Sequence, residues 1–498
     1  MTSAPLRNRG ALLRSGVLFI FVVGFSLFAE GSAFAEASSG SDPSICGPFD
    51  EQDANVVRLA ANFQNAERGV SSPAASAAGA TRGAPSGPGN ILSLPTPGTN
   101  PGTARAGASA ASAQNGAGAP SEALLALPKD GSGNLPSDFE LGQGATIAES
   151  FFSPVICATV ARVTGPPGAS MNELVTVVPE SSLVVANDVY ASAAADIGTT
   201  LGGSGRPDPY TSLQYGLAVS GVREARGLSK GEGVRIALLD SAPESNHADL
   251  AATRIRFDEG PPTAPASSRE AVPTGVHGTL MAGVLGAVEG NGFGIAGLAP
   301  ASELVSIPVC TPEGPAGGRC TIYHLLQGLD QAYRSESQLV NLSLSGPPNP
   351  LLERGVARLE QLGLVVVAAA GNEGTEDKRY PAAYPSVVGV GAMDREGEAF
   401  ALSNQGSWVE IYAPGVEVLS TIPGDAFAFG NGTSLAAAHV TGALAVITRL
   451  TGDPRLARAE FFRAAETAGG LRRMPPVCDV FRRLGVECET DVEGRTAR

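Results

Sequence analysis

Five apolar runs stand out in the second half of the chain: VRIALLD (Val234 to Asp240), ELVSIPV (Glu303 to Val309), LVNLSLS (Leu339 to Ser345), LVVVAAA (Leu364 to Ala370) and SVVGVGAM (Ser386 to Met393). Each is short, nearly continuous and rich in Val, Ile and Leu, the pattern of strands buried on both faces. Between them lie segments with helical spacing, such as TIYHLLQGLDQAYRS and LLERGVARLEQLG. Strands alternating with helices predict an α/β domain with a parallel sheet flanked by helices on both faces. Two further helical stretches, SLAAAHVTGALAVITRLT and PRLARAEFFRAAETA, close it. The domain is expected over residues 210–470, followed by a tail over 471–498.

The first half follows different rules. Arg7, Arg9 and Arg14 precede the apolar run Val17 to Ala29, and Ala33 and Ala35 offer a small-x-small cleavage site. This predicts a secretory signal peptide over 1–35. Residues 36–70 contain one amphipathic pattern, DANVVRLAANFQNAER. An Ala, Gly, Ser and Pro-rich stretch follows, too poor in apolar area to offset its ordering entropy, and a disordered linker is expected over 71–135. Strand-like runs resume, SPVICATVARV and ELVTVVPESSLVVANDVY, predicting a small α+β module over 136–190. A second, exposed linker is expected over 191–209.

Composition narrows the function classes. The chain has 498 residues and a net charge of −15, unsuited to nucleic acid or an anionic membrane. Beyond the leader no run is long and apolar enough to cross a membrane, so no membrane partner is expected after signal cleavage, and a secreted or periplasmic monomer is. The six cysteines, Cys46, Cys157, Cys310, Cys320, Cys478 and Cys488, all follow the cleavage point. In an exported protein this favours disulfides. Nearest-neighbour pairing is the simplest of fifteen connectivities: 310 with 320, 478 with 488 and, by elimination, 46 with 157. No CxxC pair or His cluster suggests a metal.

Two familiar motifs are set aside. GLSKG (Gly227 to Gly231) lacks the strand before and helix after that a nucleophile elbow needs. GFGIAG (Gly292 to Gly297) lacks the flanking strand and helix of a dinucleotide fingerprint. Four other residues carry chemistry together. Asp240 ends an apolar strand. His277 lies in GVHGTLMAG, Asn372 in AAAGNEG and Ser434 in GNGTSLAAAHVTG. Singly, each reads as a turn, cap or packing residue. Jointly they supply a nucleophile, its base, an acid to hold the base, and a donor for a developing oxyanion.

These segments, with NHADL, GIAGLAP, VNLSLSG, YPSVVGVGAMD and YAPGVEVLST, resemble the subtilisin-like serine proteases in that family's order Asp, His, Asn, Ser. The resemblance covers about residues 210 to 468. It implies a serine endopeptidase acting on polypeptides: Ser434 attacks the scissile carbonyl, His277 moves the proton, Asp240 orients His277, and Asn372 with the Ser434 N–H holds the oxyanion. Ser343, Leu344 and Ser345 would line the cleft and pair with extended peptide; Ala369, Ala370 and Gly371 would wall the main specificity pocket. Glu373 and Arg379 have two placements open to them: into that pocket, where the arginine would disfavour basic and large apolar side chains, or out to solvent. The segment ending VVANDVY resembles an inhibitory propeptide, which makes the chain's own propeptide a partner and puts self-cleavage within 191–209. A structural calcium is compatible with the resemblance, and no ligand set stands out.

The chain departs from the family pattern at Ala242 (for Gly), Leu280 (for a second His), Ser345 (for Gly) and Ala438 (for Pro). Ala242 would strain its turn if that turn needs a positive φ. His247, His324 and His439 read as packing or capping residues. Two rivals remain: a catalytically impaired relative that binds peptides, and a secreted structural protein built on the Ala/Gly-rich stretch. A passenger fused to a C-terminal barrel is not expected, since too little chain follows the last helix.

Overall fold

The computed structural model describes residues 121–128, 139–177, 182–193, 196–202, 208–251, 254–257, 274–314, 317–465, 467–468 and 470–488. The expected leader, the 36–70 helix and most of the 71–135 linker lie outside the described residues.

Seven parallel strands form the central sheet: β1 (Arg235–Asp240), β2 (Arg254–Phe257), β3 (Glu303–Pro308), β4 (Leu339–Leu342), β5 (Val365–Ala369), β6 (Val387–Met393) and β7 (Ile411–Pro414), in the order β2-β3-β1-β4-β5-β6-β7. Successive side chains of a strand point to opposite faces, and here each face has its own core. Ile236, Leu238, Val365 and Val367 join one cluster with the helices α1 (Val276–Gly286), α4 (Thr433–Thr451) and α5 (Pro454–Ala464). Ala237, Leu239, Val366 and Ala368 join the other with α2 (Ile322–Arg334) and α3 (Pro350–Gln361). Burial on both faces is why these strands carry unbroken apolar runs. The expectation that no run beyond the leader is long and apolar enough to cross a membrane is corrected at helix α4, which is so by length and composition; 89% of that window is buried inside the protein, as in a core helix.

Before this sheet lies a four-stranded antiparallel one, ordered Thr146–Ser153, Ala158–Gly165, Ser121–Pro128, Leu183–Ala186, with a short helix at Met171–Leu174. Its central strand SEALLALP corrects the linker expected over 71–135. Ala123, Leu125 and Leu127 bury in the module's own core, while Leu124 and Ala126 bury in the cluster under α2 and α3. Two-sided burial by five consecutive apolar residues outweighs the low-complexity sequence before them.

The exposed linker expected over 191–209 is corrected as well. Val189–Ala193 is a strand, hydrogen-bonded antiparallel to Gly317–Thr321. Asp196–Gly202 is another, antiparallel to Ala426–Asn431. The backbone donors and acceptors of two open edges recruit a sequence that has little apolar content of its own.

Cys310–Cys320 and Cys478–Cys488 are disulfides, as nearest-neighbour pairing anticipates. Cys157 is also disulfide-bonded; the pairing expected for it, with Cys46, involves a residue outside the described set. The C-terminal disulfide ties down the helix Val477–Arg483, which packs Val477, Val480 and Phe481 into the main core.

Candidate active site

Asp240 is the last residue of β1 and His277 the second of α1. His277 Nδ1 donates to both carboxylate oxygens of Asp240, at 2.9 and 2.8 Å. That contact fixes the imidazole so that Nε2 is the ring position left to take a proton. Asp240 Oδ1 also accepts from the backbone N–H of Ser241 at 2.7 Å, and Ser241 Oγ accepts from Gly278 N at 3.0 Å, joining the strand end to the helix start. Asp240, His277 and Ser434 are all at most 2% exposed.

The turn after Asp240 accommodates Ala242 without strain. Ala242 is absent from the residues with positive φ; it forms a parallel bridge with Thr274, and its carbonyl accepts from Gly275 N at 2.8 Å.

Ser434 sits at the start of α4. Gly432, with φ 145°, precedes the helix in a conformation that favours glycine. One strand over from β1, the chain leaves β4 at Ser343, and Ser434 Oγ donates to the Ser343 carbonyl at 3.2 Å; Ser343 Oγ donates back to the Ser434 carbonyl at 3.0 Å. His277 Nε2 is buried and has no hydrogen-bond partner among the described residues. Base and nucleophile thus stand at the same end of adjacent strands without a bond between them. Such contacts often close only around a reacting substrate.

Asn372 follows β5. Its Oδ1 accepts from Thr433 N at 2.9 Å and Thr433 Oγ1 at 3.1 Å, and Thr433 Oγ1 accepts from Gly371 N at 3.0 Å. Anchoring the oxygen turns Nδ2 away from Thr433. Sequence reading missed this role of Thr433, although the GTS triplet displays it. It also missed Asn341, which donates to Ser343 Oγ at 2.9 Å and accepts from Thr441 at 2.9 Å. A buried polar residue in an apolar run was the available signal.

The N–H and carbonyl of Ser345 exchange hydrogen bonds with Ala191, both at 3.0 Å. The Val189–Ala193 strand therefore lies between Ser345 and the Gly317–Thr321 hairpin. Leu344 is buried in the core beneath. Ala369, Ala370 and Gly371 lie together at and just past the end of β5, Ala370 bonded to Val390 of β6.

The remaining histidines are packing residues. His247 donates from Nε2 to Ala426 O and accepts at Nδ1 from Asp249 N. His439 donates from Nδ1 to Leu435 O at 2.8 Å, and burial pushes it down to about 4, so it stays neutral. His324 Nδ1 pairs with Thr321 Oγ1, the cap of α2.

Two acidic groupings bear on cation binding. Glu244, His247 and Asp425 come within 4.8 Å of one another. However, Glu244 accepts from Gly424 N, Asp425 from Ala248 N, and both His247 nitrogens are engaged. Asp208 and Asp249 accept from the backbone N–H groups of Gly290, Gly292 and Ile295. A loop aiming N–H donors at carboxylates suits anions and does not fit a calcium ion. Burial pushes Asp249 up to about 7.

Known proteins resemble this chain over the sheet domain. The subtilase family profile matches residues 231–467. Subtilisin BL of Lederbergia lenta is 40% identical over 227 residues, covering 45% of this chain and 78% of that protein. Subtilisin Savinase of the same organism is 39% identical over 227 residues, with the same coverage. A subtilisin of Bacillus pumilus is 36% identical over 222 residues, covering 44% of this chain and 77% of its own length. With a parallel α/β sheet, Asp240 on His277 at one strand end and Ser434 at the next, the chain belongs to the subtilase family.

Proposed function

We propose that the chain is an exported serine endopeptidase, made as a precursor that cuts itself. The observation that carries this reading is the convergence at the carboxyl end of the sheet. Asp240 holds His277 at 2.8 Å, Ser434 touches Ser343 one strand away, and Thr433 turns Asn372 between them.

In the reaction, His277 Nε2 takes the Ser434 Oγ proton as Oγ attacks the carbonyl carbon. It then delivers the proton to the leaving amine. Asp240, fixed by two contacts, orients the imidazole and stabilises its charged form. The oxyanion is held by Asn372 Nδ2 and the Ser434 N–H, at the positive end of a 19-residue helix. Water then cleaves the acyl-enzyme along the reverse path. A peptide substrate adds a strand between Ser345 and the Gly317–Thr321 hairpin, the place taken here by Val189–Ala193. That occupancy supports the 121–193 module as the enzyme's own propeptide and inhibitor. Export is supported by the leader pattern and the disulfides.

A second reading, a peptide-binding relative without catalysis, draws on one observation: His277 Nε2 has no hydrogen-bond partner among the described residues. A fluorophosphonate probe separates the two. Labelling of Ser434 in processed wild type, absent in Ser434→Ala, is the expected result; unlabelled, correctly processed wild type overturns the protease reading. N-terminal sequencing of both secreted forms tests self-processing, which requires the module to be retained only in the variant.

A further inference from the structure

β4 and β5 run in register only as far as Leu342 and Ala368. Beyond that point they part. Ser343–Gly346 takes the Val189–Ala193 strand on one edge and Tyr380 on the other, while Ala370 stays on β6. A crevice between diverging strands, at the carboxyl end of an open parallel sheet, is where such folds receive ligands.

Ala191 and Ser345 form an antiparallel bridge, and an extended peptide keeping that register for two further residues would set Ala193 opposite Ser343. Ser343 is the residue whose carbonyl accepts Ser434 Oγ. In that register the carbonyl offered to the nucleophile is that of Ala193. The side chain before the cut, in any peptide of this register, meets the crevice between Ser343–Ser345 and Ala369–Gly371.

That crevice is already furnished. A Cβ on Gly371 would lie 2.6 Å from Glu373 Oε2, 2.6 Å from Asn404 Nδ2 and 3.3 Å from Ser345 Oγ. The Glu373 carboxylate therefore folds back across the glycine wall toward Ser345. It is held from two sides: Arg379 Nη2 at 3.0 Å from Oε1, and Asn404 Nδ2 at 2.6 Å from Oε2. Asn404 is itself fixed, donating to Ala370 O and accepting from Glu373 N and Thr375 N. Arg379 comes from the opposite wall, next to Tyr380, whose backbone pairs with Gly346. With both oxygens engaged, Glu373 offers nothing to a basic side chain. A large apolar one would have to displace a partly buried ion pair, leaving charge uncompensated.

The geometry points to a specificity pocket closed by the Glu373–Arg379 pair, so that the enzyme cuts after small side chains and its first substrate is its own chain, cut after Ala193. The inference rests on the protease reading. In that first cut Ser434 Oγ bonds to the Ala193 carbonyl carbon, and its proton passes through His277 to the nitrogen of residue 194 as the C–N bond breaks. Water then hydrolyses the ester, restoring Ser434 and leaving an Ala193 carboxylate.

The test is peptide-library profiling of secreted, processed enzyme, with N-terminal sequencing. Expected are a mature N-terminus at Ala194 and preference for Ala, Ser or Gly over Phe, Leu and Lys by about tenfold or more. Arg379→Gly should move the preference toward Leu and Phe by about tenfold. Precursor processing slowed by Ala193→Phe should be restored by adding Arg379→Gly. Should Arg379→Gly fail to fold, the wild-type profile and the Ala193→Phe precursor still decide. An active wild type that favours Phe, Leu or Lys before the cut, or begins elsewhere, overturns the inference. Failure of the protease reading looks different: no peptide is cut and Ser434 is not labelled.

Discussion

Ser153 of the N-terminal module donates to Asp330 of α2 at 2.8 Å, across the seam between the antiparallel module and the parallel sheet domain. Val155 N donates to the same oxygen at 3.1 Å, and Asp330 Oδ2 is buried without a hydrogen-bond partner among the described residues. Burial outweighs Ser153, Val155 and the Arg334 charge, and pushes the carboxyl from 3.8 up to about 7. The seam thus holds an acid that is easier to bury protonated.

This gives a pH dependence with a definite sign. The folded value lies above the unfolded one, so the stabilising contribution is complete below about pH 4 and is lost as pH rises through about 7. The loss is at most ~4 kcal/mol. Urea unfolding of the uncut Ser434→Ala precursor should show a midpoint that falls between pH 4 and 7 and then levels. Asp330→Asn should flatten that slope; an unchanged slope would assign the dependence elsewhere.

The charge-handling residues are expected to act as a unit. Ser434→Ala or His277→Ala should each lower kcat by roughly 10⁶, and Asp240→Asn by roughly 10⁴, magnitudes established for subtilisin and related triads. Single-turnover assays on enzyme matured in trans would show it. A loss below tenfold for His277→Ala would remove it from the base role.

Thr433 is predicted to matter through Asn372. Asn372→Ala should cost about 10²–10³ in kcat, the range known for removal of this donor in subtilisin. Thr433→Val removes the hydroxyl contact and keeps the backbone one, so a smaller loss is expected, in kcat and with KM little changed. A rise in KM alone would make Thr433 a cleft-shaping residue instead.

The Cys310–Cys320 bridge joins opposed residues of the hairpin that pairs with the cleft strand. Replacing both cysteines with serine should raise KM for extended peptides more than it lowers kcat. Thermal stability should fall by about 2–3 kcal/mol. Equal effects on a dipeptide ester and a long peptide would show that the hairpin does not support the cleft.

Gly346 faces Tyr190, where a Cβ would lie 2.6–2.9 Å from the ring. Tyr190 is fully buried, and its hydroxyl donates to Pro347 O. Gly346→Ala should weaken inhibition by the separately added 121–193 module by about tenfold, as one displaced aromatic anchor would. Titration of inhibition against module concentration measures it.

The residues proposed as catalytic stood out in the sequence because the strands that lead to them are apolar on both faces. An unbroken run such as VRIALLD announces a buried parallel strand, and the Asp at its end is conspicuous. The edge strands RIRF and IYAP were not legible: each is four residues long, and the first alternates charge with apolar side chains. LVNLSLS reads as one strand to Ser345, yet the sheet keeps only Leu339–Leu342. What diverts the rest is a partner strand more than a hundred residues earlier, which local pattern does not contain.

The sequence by itself determined the α/β sheet, the order of the four chemical groups and the two short-range disulfides, because hydrophobic period and residue type are local properties. Only the tertiary structure decided that SEALLALP is a central strand, that Val189–Ala193 lies between Ser345 and the Gly317–Thr321 strand, and that Asn404 and Arg379 lock Glu373 across Gly371. Those outcomes depend on hydrogen-bonding edges and on charges brought together from distant segments, and their energies exist only once the chain is folded.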